Sequence, residues 1–134
     1  MIRGVVTSRY EAVIPLVVIG ARGQREAIEA IVDTGFDGWL SLPQSFVDEL
    51  ELPWQRLGGA FLADGSEIEF DIHDGTVLWD RKILEISIDV SDTDPLVGMR
   101  LLEGYQLTLP VQPEREFTIR QIPRSRNHKT ETES

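Results

Sequence analysis

Ile31-Val32-Asp33-Thr34-Gly35 is an apolar run that ends in a carboxylate, a hydroxyl and a glycine. A strand that delivers an aspartate at its end holds the acid rigidly at the margin of a buried core. The Thr34 hydroxyl can hydrogen-bond nearby backbone, and Gly35, without a Cβ, lets another chain or a ligand come close. The same triplet also suits an ordinary turn, because Asp and Gly are common turn residues. The residues around it decide between these readings.

A chain of 134 residues is long enough for one real core and short of two. Residues 1–122 are expected to form that domain. Residues 123–134 carry almost no apolar side chains, so a disordered tail is expected there. The absence of cysteine excludes a disulfide framework, a thiolate metal site and a cysteine nucleophile. His73 and His128 lie far apart, which argues against a histidine-based site. The net charge of −10 argues against nucleic acid as a partner, since phosphate binding needs a positive face. Arg3 and Arg9 before Ala12–Ala21 imitate a signal peptide, but Glu11 borders the run and Pro15 interrupts it. It is too short to span a bilayer. A buried strand in a cytoplasmic protein, with no membrane partner, is the expectation.

Along the chain, residues 2–8 and 12–19 read as strands, joined through Gly20-Ala21-Arg22-Gly23 to a third that starts at Arg25 and runs into Asp33. Trp39, Leu40 and Leu42 suit a short buried strand. A helix over Gln44–Leu50 follows, with Pro43 in its first turn and Pro53 forbidding its continuation. Gly58-Gly59 is expected to loosen the chain before a strand over Ala60–Ala63. Asp64-Gly65 is the strongest hairpin signal, returning along Ser66–Ile72. His73-Asp74-Gly75 predicts another hairpin, and Asp80-Arg81-Lys82 a third turn into Ile83–Val90. A polar loop, Ser91–Asp94, leads to Leu96-Val97-Gly98, a short helix over Met99–Glu103 stopped at Gly104, and strands over Tyr105–Leu109 and Glu116–Ile122. Eight to ten short strands and one or two helices make this an all-β domain.

Three features fall in a set order: the apolar-apolar-Asp33-Thr34-Gly35 loop, the glycine-tipped hairpin Ala60–Phe70, and Leu96-Val97-Gly98 running into Met99–Leu102. Over residues 2–110 the chain resembles a single-domain, retropepsin-like aspartic protease of the retroviral type, and Phe36-Asp37-Gly38 resembles the bacterial and archaeal branch. The resemblance implies a closed retropepsin-like β-barrel. It implies that Asp33 is catalytic, that Thr34, Gly35 and Gly98 support its loop, and that Asp64 and Gly65 tip a flap over the substrate. Phe36 and Asp37 would line the cleft. Phe36 departs from the small residue of the viral enzymes, and a ring there reshapes the cleft. The terminal strands that join viral dimers have no clear counterpart after Leu109.

Only one Asp-Thr-Gly triplet exists in the chain. The resemblance therefore implies a symmetric homodimer in which each copy supplies one aspartate and the pair activates water to hydrolyse a peptide bond, with no metal and no cofactor. The competing function is a catalytically inactive dimeric module that binds protein partners on the same fold. Asp89, Asp92 and Asp94 lack the glycine and terminal glutamate of a calcium loop. His73, between Asp71 and Asp74, is expected to be an exposed hairpin residue rather than a metal ligand.

Overall fold

A computed structural model describes residues 1–123. The tail expected from residue 123 onward therefore lies, beyond Pro123, outside the described residues. Ten strands and two short helices follow in the order β1 (Ile2–Val6), β2 (Ala12–Ile19), β3 (Arg25–Val32), β4 (Leu40–Leu42), α1 (Gln44–Glu49), β5 (Trp54–Phe61), β6 (Glu67–Trp79), β7 (Lys82–Val90), β8 (Leu96–Val97), α2 (Met99–Leu102), β9 (Tyr105–Thr108) and β10 (Glu116–Gln121). The class is all-β, as the count of short apolar runs implies.

The strands form a single sheet in the order β5-β6-β7-β4-β8-β3-β2-β1-β10-β9, and β6 also pairs with β2. Six strands are thus linked in a ring, from β6 through β7, β4, β8 and β3 to β2 and back. Two pieces extend from it: the hairpin of β5 with the first half of β6, and the strip β1-β10-β9. Pro15 falls on β2 between the residues that pair with β1 (Ala12, Val13) and those that pair with β6 (Val17 to Ile19). A strand accepts proline most readily where one edge has no ladder partner.

Period-two burial drives the assembly. Ile14, Leu16 and Val18 of β2 turn inward together, and they meet Leu40, Leu42, Ile88 and Val97 in one core. Val47 of α1 and Leu50 just after it join this core, as do Phe117 and Ile119 of β10. The candidate signal-like run at 12–19 is this central strand. Among the described residues, no helix is long and apolar enough to cross a membrane.

Two expectations fail in the same region. The strand before Asp64 begins at Trp54 and passes through Gly58-Gly59, so the glycines lie within β5 rather than ahead of it. The hairpin expected at His73-Asp74-Gly75 does not form, and β6 runs unbroken for 13 residues. Gly75 is present for closeness, not for turning: it pairs with Ile86, and a Cβ on it would collide with the Ile88 side chain. His73 is half-buried rather than exposed, its Nδ1 2.8 Å from the Leu52 carbonyl oxygen. The true reversal comes at Asp80 and Arg81, with φ of 49° and 68°, the left-handed pair of a tight hairpin. Gly65 (φ 87°) and Gly104 (φ 86°) turn where the sequence places turns.

Replacing Gly75 by alanine is expected to cost about 1–3 kcal/mol through overpacking against Ile88. Combining it with Ile88→Val, which removes the colliding methyl, should recover part of the loss. Additive losses in a denaturant double-mutant cycle would show that the glycine serves another purpose.

Candidate functional site

The site is built where β3 ends. Ile31 and Val32 pair in parallel with Leu96 and Val97 of β8. At the end of that ladder the Asp33 N–H donates to the Val97 carbonyl at 2.9 Å. The loop then folds on itself: the Gly35 N–H donates to Asp33 Oδ1 at 2.9 Å, and the Phe36 N–H to the Asp33 carbonyl at 3.1 Å. One carboxylate oxygen is therefore held by backbone, and the half-buried side chain cannot swing freely. Thr34 stands exposed at the apex of the loop.

The segment 97–100 locks the loop from behind. The Gly98 N–H donates to the Trp39 carbonyl (3.0 Å), Met99 to Phe36 (2.8 Å) and Arg100 to Gly38 (3.1 Å). Gly98 is buried so closely against this loop that a Cβ would strike the Gly38 carbonyl oxygen and lie 2.7 Å from Phe36 Cδ2. A Cβ on Gly38 would come within 2.6 Å of the same ring. The two glycines together provide the space for Phe36. Its ring turns back against them, so the bulky residue is accommodated by the loop itself.

Asp33, Gly35, Phe36 and Asp37 all line one cavity of about 560 Å³. The β5–β6 hairpin lines the same cavity through Gly59, Ala60, Ile68 and Phe70, and β4 and β7 with the residue after β7 line it through Ser41, Asp89, Val90 and Ser91. Asp64 and Gly65 are placed elsewhere. They form the exposed tip of the hairpin, where Asp64 Oδ1 accepts from the Ser66 N–H (2.9 Å) and Ser66 Oγ (2.6 Å). The Ser66 hydroxyl, then its N–H, hold the Asp64 carboxyl below its ordinary range. The structure thus gathers Asp33, Gly35, Phe36 and Asp37 around the cavity, backs them with Gly98, and leaves Asp64 and Gly65 outside its lining. The hairpin is exposed, with Phe61 78% accessible and Trp54, Leu57, Leu62 and Ile68 also open.

The sequence does not single out Ser41, and it offers Asp89 only as part of an incomplete calcium loop. They meet because β4 pairs in parallel with β7, Ser41 beside Asp89, and no local pattern announces a parallel pairing between strands 48 residues apart. Burial pushes the Asp89 carboxyl above its ordinary range; Arg56 opposes that rise and Asp37 adds to it. Asp92 and Asp94 lie exposed on the following loop. No group of three or more metal-binding side chains occurs among the described residues.

Comparison with solved structures places the fold. A retropepsin-like aspartic protease from Rickettsia conorii superimposes with a TM-score of 0.60 at 18% identity, covering 90% of this chain and 89% of that one. EIAV protease in complex with the inhibitor HBY-793 gives a TM-score of 0.53 at 15% identity, covering 69% of this chain and 86% of that one. The chain therefore has a retropepsin-like fold, the architecture of aspartic proteases. No protein-family model matches the sequence, and comparison with curated proteins finds no match.

Gly98→Ala is expected to cost at least ~2 kcal/mol, because the Gly38 carbonyl it strikes is backbone and cannot rotate away. A melting temperature equal to that of the wild type would contradict this account of the loop. Asp89→Asn should raise thermal stability at neutral pH. A carboxyl whose folded pKa is raised stabilises the protein fully below its unfolded pKa and loses that contribution as pH climbs through the folded value. The gain should therefore vanish below the ordinary carboxylate range, near pH 3. A gain that persisted at low pH would have another cause.

Proposed function

We propose that the protein is an aspartic endopeptidase that works as a symmetric homodimer. The observation that carries this reading is the backbone-anchored Asp33 in a cleft that the long β5–β6 hairpin also lines. One such acid is half of a water-activating pair, and the chain holds a single Asp-Thr-Gly triplet. A twofold axis through the loops would bring the second copy's Asp33 beside the first. Two facing carboxylates resist joint ionisation and share a proton across an acidic range. The ionised member takes a proton from water as that water attacks the peptide carbonyl carbon. The protonated member donates a hydrogen bond to the carbonyl oxygen. Thr34, exposed at the apex of the loop, would brace its copy across the axis.

An extended peptide would lie between the loop and the hairpin, pairing its backbone with strand edges and excluding water as the hairpin closes. The exposed apolar residues of the hairpin support that role, since a flap covers apolar substrate and meets its twin. Phe36 favours a second reading, a non-catalytic dimeric binding module, because a bulky ring forms part of the cleft wall beside Asp33.

Digestion of an unfolded protein between about pH 4 and 7, the span in which a coupled carboxylate pair loses its shared proton, separates the two. The wild type should cleave. Asp33→Asn should abolish cleavage by at least about a hundredfold while leaving the far-ultraviolet spectrum and melting temperature unchanged. Sedimentation should find a dimer at the concentrations that show activity. Equal cleavage by both forms, or activity from a strict monomer, removes the proposal.

A further inference from the structure

Part of the cleft lining carries chemistry that water activation does not use. Ser41 is only 3% exposed, yet its Oγ has no hydrogen-bond partner among the described residues. A buried hydroxyl is normally paired, so an orphan that lines a cavity marks a place for an incoming donor. Asp89 stands beside it in register and lines the same cavity. Its carboxyl is half-buried, and no ion pair within 4 Å compensates it among the described residues. Arg56 and Arg100 line the adjoining cavity of about 440 Å³ on the other side of Asp89, with Asp37. Asp37 also faces the main cleft and adds a second negative charge. Phe36, Ile68 and Phe70 give the same cavity apolar wall.

We propose that the Asp89–Ser41 part of the cleft is a subsite for a cationic side chain, arginine or lysine, of the bound peptide. The peptide context rests on the protease reading above; the subsite itself does not. The apolar wall suits the methylene stem of such a side chain, which lies along apolar surface while its head reaches a polar partner. A guanidinium donates in a fork, so it can satisfy the Asp89 carboxylate and the Ser41 hydroxyl oxygen together. A partner cation also relieves the burial that pushes the Asp89 carboxyl upward. The body as a whole, at −10, attracts a basic segment.

The test uses two probes of equal length that differ in charge, n-butylguanidinium and neutral n-butylurea, titrated at pH 7 into the full-length ¹⁵N-labelled protein. The cation should shift the amide signals of Leu40, Ser41, Asp89 and Val90 and bind about tenfold more tightly than the urea, as a charge-assisted hydrogen bond predicts. Asp89→Asn should erase that difference, and Ser41→Ala should reduce it while the protein stays folded. In parallel, cleavage of a proteome-derived peptide library should show arginine or lysine enriched at one position in the wild type and not in Asp89→Asn. Equal binding of the two probes, or a cleavage profile unchanged by Asp89→Asn, overturns the subsite even if proteolysis is confirmed. Charge-selective binding by a protein that cuts nothing upholds the subsite and removes the protease reading instead.

Discussion

Everything at this site depends on two short pieces of backbone holding each other without side chains between them. The loop from Asp33 to Trp39 and the segment from Val97 to Arg100 exchange hydrogen bonds in both directions along their contact, and all of them are main chain to main chain. Such contact requires near-zero thickness on one side, which is why Gly98 faces Gly38. With the backbone fixed, the Asp33 carboxylate needs only the Gly35 N–H to keep its bearing. Position is thus set by geometry that the side chains cannot easily disturb. In the pair proposed for Asp33 such rigidity would count, because orientation fixed in advance is not lost again at the moment of reaction.

The same economy explains Phe36. A large ring next to the Asp33 carboxylate could block the cleft, yet two Cβ-free positions leave it a place against the loop. The residue still forms cavity wall, so it shapes what can lie there. Asp89 and Ser41 add polar groups to the cleft that the core did not need: among the described residues the Ser41 hydroxyl has no hydrogen-bond partner and Asp89 no ion pair, and burial makes the carboxylate costly. Unfavourable groups retained beside a cleft point to ligands, whereas the same groups in a sealed core would point to a defect.

Much of this was legible in the residues and some was not. Apolar, β-prone runs marked β2 and β3, alternation marked β7 and β9, and positive-φ positions such as Gly65, Gly104 and the Asp80–Arg81 pair lay where turn chemistry indicated. The Asp33 loop and the Leu96-Val97-Gly98 segment could be linked only through resemblance, because their pairing is parallel and joins residues more than sixty apart. Glycine was the main source of error. Gly58, Gly59 and Gly75 read as breaks, but a glycine that makes room for a neighbour looks identical in sequence to one that turns the chain. Ile72 and Ile88, which approach Gly58 and Gly75, come from other strands or other parts of the ladder, so nothing local distinguishes the two uses. Asp64 and Gly65 were read correctly as a tip, and it is the residues below the tip that wall the cleft.

The strip β1-β10-β9 bears on how two copies could ever meet. β1 is hydrogen-bonded to β10 and to β2, and β10 to β9, so the first and last strands of the described chain are already occupied within one copy. They are not loose ends waiting to be interleaved with a neighbour's. Among the described residues these strands thus complete their ladder within one copy, and a dimer of the kind proposed would have to form through other surfaces. Abundance, rather than folding, would then be the dial that turns such a molecule on.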